Sequence, residues 1–209
     1  MSTNTPASAP PPVPPSPLRE VIRSQDWYGQ DISDRRYSHH AFIDVDMTEV
    51  TNEGAVFDHC TFRGVRFNVS RHSGAAFTNC TFSHCVFFDT RFADCKLVGS
   101  LFQQCTFSLF EVSGGDWSFV GLPGADLRKA SLRSVRMREA DLTGARLEGA
   151  DVTDVDLSGA QLHSANFIRC DLRGSDLASL DPLTVELGRA TVSLEQAAVL
   201  VTALGLHVA

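Results

Sequence analysis

The sequence lacks the features that mark membrane and secreted proteins. No run of about 18 apolar residues occurs in its 209 residues, so no membrane-spanning helix is expected. The N-terminus has no basic start followed by an apolar stretch, so no signal peptide is expected. These two absences favour a cytoplasmic protein without a membrane partner.

Motifs for catalysis and metal binding are also missing. There is no Gly-rich phosphate loop and no Ser-His-Asp arrangement, and the seven histidines are scattered rather than spaced as metal ligands. We therefore predict a binding protein and not an enzyme, with no cofactor and no metal.

An excess of basic residues is absent as well. The formal charge is −7, which argues against a protein that binds nucleic acid directly by neutralising phosphates. Residues 1–138 carry 14 acidic and 14 basic residues, whereas residues 139–209 carry 11 acidic and only 4 basic ones. The whole net charge therefore lies in the last third of the chain.

What the sequence does contain is a repeat of five residues. Among the 33 positions whose numbers end in 2 or 7, from Ile32 to Val192, 30 are large and apolar, and the exceptions are Asn52, His72 and Pro182. At the chain's own apolar fraction, chance would give about 14. Neither a helical period of 3.6 nor a strand period of 2 produces this column.

A second column lies two residues before the first. From Arg35 to Ala190 its 32 positions are small or Val, except at Arg35, His40, Phe110 and Leu180. Near Trp117 a larger residue in one column is accompanied by a smaller one in the other. The large Trp117 follows Gly115 in the small column, and the large Phe110 in the small column is followed by the smaller Val112. Such trades are expected where large and small residues fill one core.

The two columns predict an all-β solenoid. Five residues form one side of a square coil, both columns point inward, and four such sides close the coil. Successive coils then stack at the strand spacing of about 4.8 Å and bond through their backbones. The expected architecture is a right-handed quadrilateral parallel β-helix over residues 31–192.

Asn52 and His72 interrupt the large column and lie four units apart, which is one full coil. They are therefore expected on the same side of adjacent coils, as a local bulge or as a polar ladder. A functional role for His72 is the alternative to this structural interpretation.

All six cysteines lie in the small column. This position accounts for them as compact core residues, which should be reduced and slow to react. They are Cys60, Cys80, Cys85, Cys95, Cys105 and Cys170.

Both ends differ from the repeat. Seven of nine prolines fall within residues 6–17, so residues 1–17 are predicted to be a disordered tail. Residues 18–30 are expected to form an N-terminal cap, with Trp27 and Tyr28 covering the first coil. Residues 193–209 are predicted to form a C-terminal dimerisation helix and tail.

The C-terminal helix is predicted from its capping residues and its apolar surface. Ser193 and Gln196 match a capping box, and Gly205 can end the helix. The helix between them is apolar all round, which requires two partners. One side should close the last coil and the other should pair two chains. The expected dimer contacts are Leu194, Ala197, Val199, Leu200, Val201, Leu204 and Leu206.

Two units of the C-terminal half carry a recognisable motif. Ala140-Asp141-Leu142-Thr143-Gly144 and Ala150-Asp151-Val152-Thr153-Asp154 resemble the A(D/N)LXX signature of the pentapeptide-repeat family, and the resemblance covers roughly residues 31–192. The C-terminus resembles that of the quinolone-resistance (Qnr) members, in Leu180-Asp181, Gln196-Ala197 and Leu204-Gly205-Leu206. The segments Ala76–Phe82 and Asp156–Ala160 are similar to the mycobacterial MfpA type.

The resemblance implies a function. Members of this kind are homodimers joined through the C-terminal helix, and they bind DNA gyrase as rods that resemble DNA. They protect gyrase from quinolones or inhibit its supercoiling. The surface expected to bind the partner is an acidic patch made of Asp151, Asp154, Asp156, Asp171 and Asp176.

Two alternatives stay open at this point. The aspartates before each large residue belong to the repeat consensus and can simply cap turns. The chain can also be a generic repeat scaffold that binds another protein through its faces or tail.

Overall fold

The computed structural model describes residues 20–207. The Pro-rich segment 1–17, predicted to be disordered, lies outside this range. None of the described helices is both long enough and apolar enough to cross a membrane.

The described chain forms a parallel β-solenoid with one helix near its C-terminal end. Its elements are β1 (Glu20–Arg23), β2 (Arg36–Ser38), β3 (His40–Ile43), β4 (Thr51–Glu53), β5 (Val56–Asp58), β6 (Thr61–Arg63), β7 (Arg71–Ser73), β8 (Ala76–Thr78), β9 (Thr81–Ser83), β10 (Val86–Phe88), β11 (Arg91–Ala93), β12 (Leu101–Gln103), β13 (Thr106–Ser108), β14 (Glu111–Ser113), β15 (Ser131–Arg133), β16 (Asp151–Thr153) and α1 (Leu194–Ala203).

The strands lie on four faces, as the five-residue period predicts. Face A contains β1, β3, β6, β9 and β12, and face B contains β10 and β13. Face C contains β4, β7, β11, β14, β15 and β16, and face D contains β2, β5 and β8. Every strand pair is parallel and offset by one full coil, so that Phe62, for example, lies opposite Phe82. The four-sided β-helix is thus confirmed.

Hydrogen bonds between coils continue beyond the regular strands. They form isolated parallel bridges with the same offset of one coil. Asp46 bridges to Arg66, and Asp171 bridges to Thr191. At nearly every corner the last residue of the five-residue unit has a positive φ, for example Asp154 at 56° and Gly159 at 70°. This left-handed conformation turns the chain from one face to the next.

The two inward columns form one continuous core. On face A the rings of Phe42, Phe62, Phe82 and Phe102 stack with centroid separations of 4.8, 4.8 and 4.6 Å. These separations match the spacing between strands, so each ring packs on its counterpart in the next coil. The aromatic column thereby reinforces the backbone bonds between coils.

The size trades around Trp117 are confirmed. Trp117, Phe110 and Val112 are all buried, and Gly115 has a φ of +85°. A Cβ at Gly115 would lie 2.2 Å from the carbonyl oxygen of Cys95. Position 115 therefore requires glycine both for its conformation and for the close approach of the neighbouring coil.

Residues 20–30 continue the same offset of one coil. β1 pairs with β3 over four residues, and Asp26 bridges to Asp46. Trp27 points inward and contacts Phe42 edge-on at 5.7 Å, whereas Tyr28 is exposed. This segment is the first coil of the described rod, and Trp27 occupies its large inward position.

Candidate partner-binding surfaces

The acidic patch lies on two adjacent faces of the last coils. Asp151 and Asp171 bridge in register on face C, and Asp156 and Asp176 occupy the equivalent positions on face D. Asp154 stands at the corner between the two faces, where its φ is 56°. The structure therefore brings the five predicted carboxylates together on one side of the rod.

Three of these aspartates cap turns. The carboxylates of Asp156, Asp171 and Asp176 accept hydrogen bonds from the backbone N–H two residues later, at 3.2, 3.2 and 2.9 Å. Outside the patch, the Oδ1 atoms of Asp46 and Asp141 accept the same bond. The consensus aspartate thus has a structural role, whatever else it binds.

Three aspartates of the patch also form ion pairs with arginines. Asp151 pairs with Arg133; Asp156 pairs with Arg138 at 2.5 Å, and Asp171 pairs with Arg173 at 2.7 Å. The hydrogen bond from Arg173 lowers the pKa of Asp171. These exposed pairs cancel part of the local charge, and each is worth little stability.

The remaining two carboxylates differ from these. Among residues 20–207, no basic side chain lies within ion-pair distance of Asp154 or Asp176. Asp154 also accepts no side-chain hydrogen bond within the described chain. Asp154 and Asp176 are therefore the members of the patch whose negative charge is not balanced by an ion pair within residues 20–207.

Helix α1 begins as predicted. The Ser193 hydroxyl accepts the N–H of Gln196 at 3.3 Å, and the Gln196 side chain accepts the N–H of Ser193 at 2.7 Å. Gly205 follows the helix with a φ of +80°. The capping box and the terminating glycine are both confirmed.

Gln196 has a second role that the sequence did not indicate. Its side-chain amide donates to the carbonyl oxygens of Leu172 and Ser175 at 2.6 and 2.7 Å. The Leu172 carbonyl also accepts the N–H of Ser175 at 3.1 Å, and neither carbonyl accepts a backbone N–H from the described residues that follow Thr191. A buried amide on the helix thus replaces the missing coil.

The apolar residues of α1 divide between the rod and solvent. Leu200 packs partly against the core of the rod, and Ala197 and Val201 are half-buried. The other expected dimer contacts are exposed: Leu194 by 85%, Leu206 by 58%, Leu204 by 47% and Val199 by 44%. One side of the helix therefore closes the rod while the other remains uncovered in the single chain.

Asn52 and His72 form a buried polar ladder. The Asn52 amide donates to Nδ1 of His72 at 3.1 Å, and Nε2 of His72 lies 3.0 Å from the Ser70 hydroxyl. Burial, and to a lesser extent Arg71, lowers the pKa of His72 to about 3. The ladder interpretation is confirmed in geometry, and His72 is a neutral core residue with both ring nitrogens satisfied.

The cysteines lie where the small column predicts, with one exception in exposure. Five are buried, while Cys105 is only half-buried. Burial raises the pKa of Cys95 to about 11 and that of Cys170 to about 12. A hydrogen bond from Cys85 instead lowers the pKa of Cys105. The expectation that all six thiols react slowly stays a prediction, and Cys105 is the thiol that combines partial exposure with a lowered pKa.

Within the described chain, no three His, Cys, Asp or Glu side chains come close enough to hold a metal ion. The cysteine column is spread along the rod instead of converging on one point. Nothing in its geometry suggests a ligand set.

Comparison with known proteins identifies the repeat. The family model of pentapeptide repeats matches eight copies within residues 122–149 and 140–178, and that of the SV2A/B/C luminal domain matches residues 29–107. A relative, the pentapeptide repeat protein MfpA of Mycolicibacterium smegmatis, is 39% identical over 49 residues. That alignment spans 23% of this chain and 26% of the relative.

Solved structures show the same architecture over almost the whole chain. Two trypsin-treated variants of QnrB1, a plasmid-mediated fluoroquinolone resistance protein, superpose with TM-scores of 0.77 and 0.74 at 21% and 20% identity. They cover 92% and 91% of this chain, and 97% of the solved chain in each case. The five-residue columns, the four-sided rod and these likenesses lead to one conclusion: the chain is a pentapeptide-repeat protein.

Proposed function

We propose that this protein binds DNA gyrase as a DNA-like rod, modulates or inhibits its activity, and protects it from quinolones. The proposal rests on the fold shared with QnrB1 and on the partial similarity to MfpA. The observation that carries it is the acidic patch, which gathers five carboxylates on two faces of a straight-sided rod.

Charge is concentrated where the docking surface is proposed. Two of the five patch carboxylates lack an ion-pair partner in the described chain, and the last third of the sequence has an excess of 7 acidic residues, 11 against 4. Gyrase holds DNA on basic surfaces, so a negative rod end competes for the same surfaces. The screening length is about 8 Å at physiological salt, so this docking should weaken as salt rises.

Net charge alone does not imitate DNA. Two chains carry a formal charge of −14, twice −7. Residues 31–192 make about eight coils of 20 residues at about 4.8 Å each, so two rods are about 78 Å long, and duplex DNA of that length carries about 46 charges. Docking must therefore depend on the shape of the rod and on the position of carboxylates such as Asp154.

A homodimer through α1 completes the proposal. Leu194, Leu204 and Leu206 are exposed on one short segment, and exposed apolar patches of this kind mark association sites. Pairing two helices back to back would bring two acidic rod ends together at the centre of the assembly. We propose a cytoplasmic, non-enzymatic homodimer that works through protein contacts and without direct binding of nucleic acid.

The proposal is tested with purified gyrase. Immobilised protein should retain gyrase at low salt, and added protein should change the rate of DNA supercoiling and the amount of quinolone-stabilised DNA cleavage. If gyrase is not retained at any salt concentration and supercoiling is unaffected, the alternative of a scaffold for another protein replaces this proposal.

A further inference from the structure

The backbone ladder between coils is broken on face B in the middle of the rod. In most coils a backbone N–H donates to the carbonyl oxygen of the residue 19 positions later, in the next coil. For example, the N–H of Leu97 donates to the carbonyl of Asp116 at 2.8 Å. Among the described residues, the N–H groups of Gln104, Phe107 and Leu109 make no such bond to the coil below. The break therefore spans residues 104–109 on one side and 123–128 on the other.

Pairing resumes at both ends of this break. Phe102 donates to Gly121 at 2.8 Å, and Ser131 donates to Phe110 at 2.9 Å. Below the break, Leu127 donates to Arg146 at 2.8 Å. The gap is thus confined to face B between two coils that are well bonded elsewhere.

The break coincides with the aromatic Phe110 at a position that is small in nearly all other units. Phe110 is buried and its ring lies 5.0 Å from that of Phe107. Phe107 and Cys105 are half-buried, whereas Phe87 and Cys85 in the preceding coil are fully buried. Phe110 thus occupies core volume at a position where nearly all other units have a small residue, and the neighbouring Phe107 and Cys105 are less buried than their counterparts in the preceding coil.

A cleft lies along the break. Cavities of about 410 and 430 Å³ open there, and both are lined by Phe107 and Asp126. We call this space the face-B cleft. Its charged lining residues are Arg128, Lys129, Arg146, Arg169, Asp126 and Glu148.

The lining of the cleft is positive in an acidic protein. Four basic and two acidic residues give a formal charge of +2, against −7 for the chain. Asp126 is shared by Arg128 at 2.7 Å and Arg146 at 2.6 Å. Within residues 20–207, Lys129 and Arg169 have no carboxylate at ion-pair distance.

One buried polar atom in the cleft also lacks a partner. Oε2 of Glu148 is buried and accepts no hydrogen bond from any described residue. Such an atom normally has a donor, and an N–H group entering the cleft would supply one.

An apolar rim borders the cleft. Phe88 is 46% exposed and Leu109 is 60% exposed. Phe88 pairs in register with Ser108, which lines the cleft and directly precedes Leu109, so both residues lie at the border of the cleft. The cleft thus presents an unpaired backbone edge, the two cations of Lys129 and Arg169, and an apolar contact within a few residues.

We propose that the face-B cleft binds an extended acidic segment of a partner protein. The segment pairs its backbone with the free N–H groups of Phe107 and Leu109, as in strand addition at an open sheet edge. Its carboxylates face Lys129 and Arg169, and an apolar side chain covers Phe88 and Leu109. A nucleic acid satisfies the cations but offers no peptide backbone for the open edge.

The N-terminal segment of the same chain does not have this chemistry. Residues 1–19 contain no Asp or Glu, and seven of them are prolines, which lack an N–H donor. The occupant is therefore a segment of another protein. This site is on a different face from the acidic patch, so it does not depend on the gyrase proposal.

The first test measures amide hydrogen exchange in the free protein. The amides of Phe107 and Leu109 should exchange at least tenfold faster than that of Asp89, which donates to Ser108 at 2.8 Å. Equal protection of these amides would overturn the proposal, because it would mean that the edge is closed.

The second test uses a fluorescein-labelled octapeptide of alternating Glu and Val. It should bind, slow the exchange of the Phe107 and Leu109 amides at least tenfold, and slow thiol labelling of Cys105. A Lys-Val octapeptide, an N-methylated Glu-Val octapeptide and a 20-base-pair duplex should not. Equal binding of the N-methylated peptide excludes strand pairing, and binding of the duplex alone would identify a nucleic-acid surface. Either result overturns the proposal.

Two double variants test the cations. Lys129→Glu with Arg169→Glu should weaken binding of the Glu-Val peptide at least tenfold. Arg36→Glu with Lys96→Glu makes the same change in net charge on face D and should leave binding unchanged. Equal loss in both variants would show a response to overall charge and would contradict a specific cleft.

Discussion

The Asn52 amide donates a hydrogen bond to Nδ1 of His72 over 3.1 Å, which holds a neutral imidazole inside an apolar core. The ring also stacks on Phe92 with a centroid separation of 4.7 Å. His72 thus replaces a phenylalanine in the aromatic column, and Asn52 and Ser70 satisfy its two nitrogens.

This pair makes stability depend on pH. The folded pKa of His72 is lowered to about 3, against about 6.5 in an unfolded chain. Between these values the unfolded state binds a proton that the folded state does not, so the free energy of unfolding falls as pH decreases. The loss is about 1.4 kcal/mol per pH unit. Denaturant unfolding between pH 6.5 and 5.0 should therefore show a loss of about 2 kcal/mol from His72.

The control is a variant that removes the ladder as a unit. Asn52→Val with His72→Phe should lose about 2 kcal/mol less than the wild type over the same interval. Parallel curves for the two proteins would mean that His72 is protonated at the same pH in the folded and unfolded states.

Cys105 should be the first thiol to react. It is half-buried beside the face-B cleft, and the hydrogen bond from Cys85 lowers its pKa. Cys60 also has a lowered pKa, about 7, through a hydrogen bond from Cys80, but it is buried. Labelling with a maleimide at neutral pH, followed by peptide mass mapping, should find Cys105 modified first, and Cys105→Ser should abolish the fast phase. A fast phase that persists in this variant would assign it to another thiol.

The dimer should depend on residues that the single chain leaves exposed. Leu194→Asp with Leu204→Asp should yield a folded monomer, because neither side chain is buried in the rod and an unpaired buried charge is strongly unfavourable in an interface. Light scattering at micromolar concentration measures the mass. Leu200 is a poorer choice, since it also packs against the core.

A matched control exists on face A. Leu183 is 77% exposed but lies outside α1, so Leu183→Asp should remain dimeric. A wild-type protein that is already monomeric would refute the dimer.

The acidic patch should act mainly through its carboxylates without arginine partners. Asp154→Asn with Asp176→Asn should weaken gyrase binding several-fold at low salt. The effect should be smaller at high salt, because salt screens the attraction between these carboxylates and gyrase. Asp94 has the same corner position three coils earlier, with a φ of 52°, and Asp94→Asn should leave binding unchanged. Equal effects of both changes would indicate a response to net charge and not to the patch.

Most of the fold follows from the sequence, for a simple physical reason. Each inward residue packs on its counterpart one full coil away. A position in the column of large residues, such as Phe102 or Leu177, is therefore predicted to be buried from its number alone. The size trade at Gly115 and Trp117 is visible for the same reason.

Features that depend on relations between coils could not be predicted in this way. Arg133 and Arg138 lie among five basic residues between positions 128 and 138 of the sequence. In the structure each of the two reaches a carboxylate in the next coil, Asp151 and Asp156 respectively. The bond of Gln196 to the Leu172 carbonyl is likewise set by packing across coils, as is the break on face B. A five-residue period carries no information about these distances.

The central proposal is tested most directly by competition for gyrase. Labelled duplex DNA bound to purified gyrase is titrated with the wild-type protein at low and physiological salt. We expect the protein to displace the DNA, and we expect displacement to weaken as salt rises. Asp154→Asn with Asp176→Asn should shift the curve to higher concentration, while Asp94→Asn should not. Retention of the DNA at every protein concentration and at both salt concentrations would contradict it.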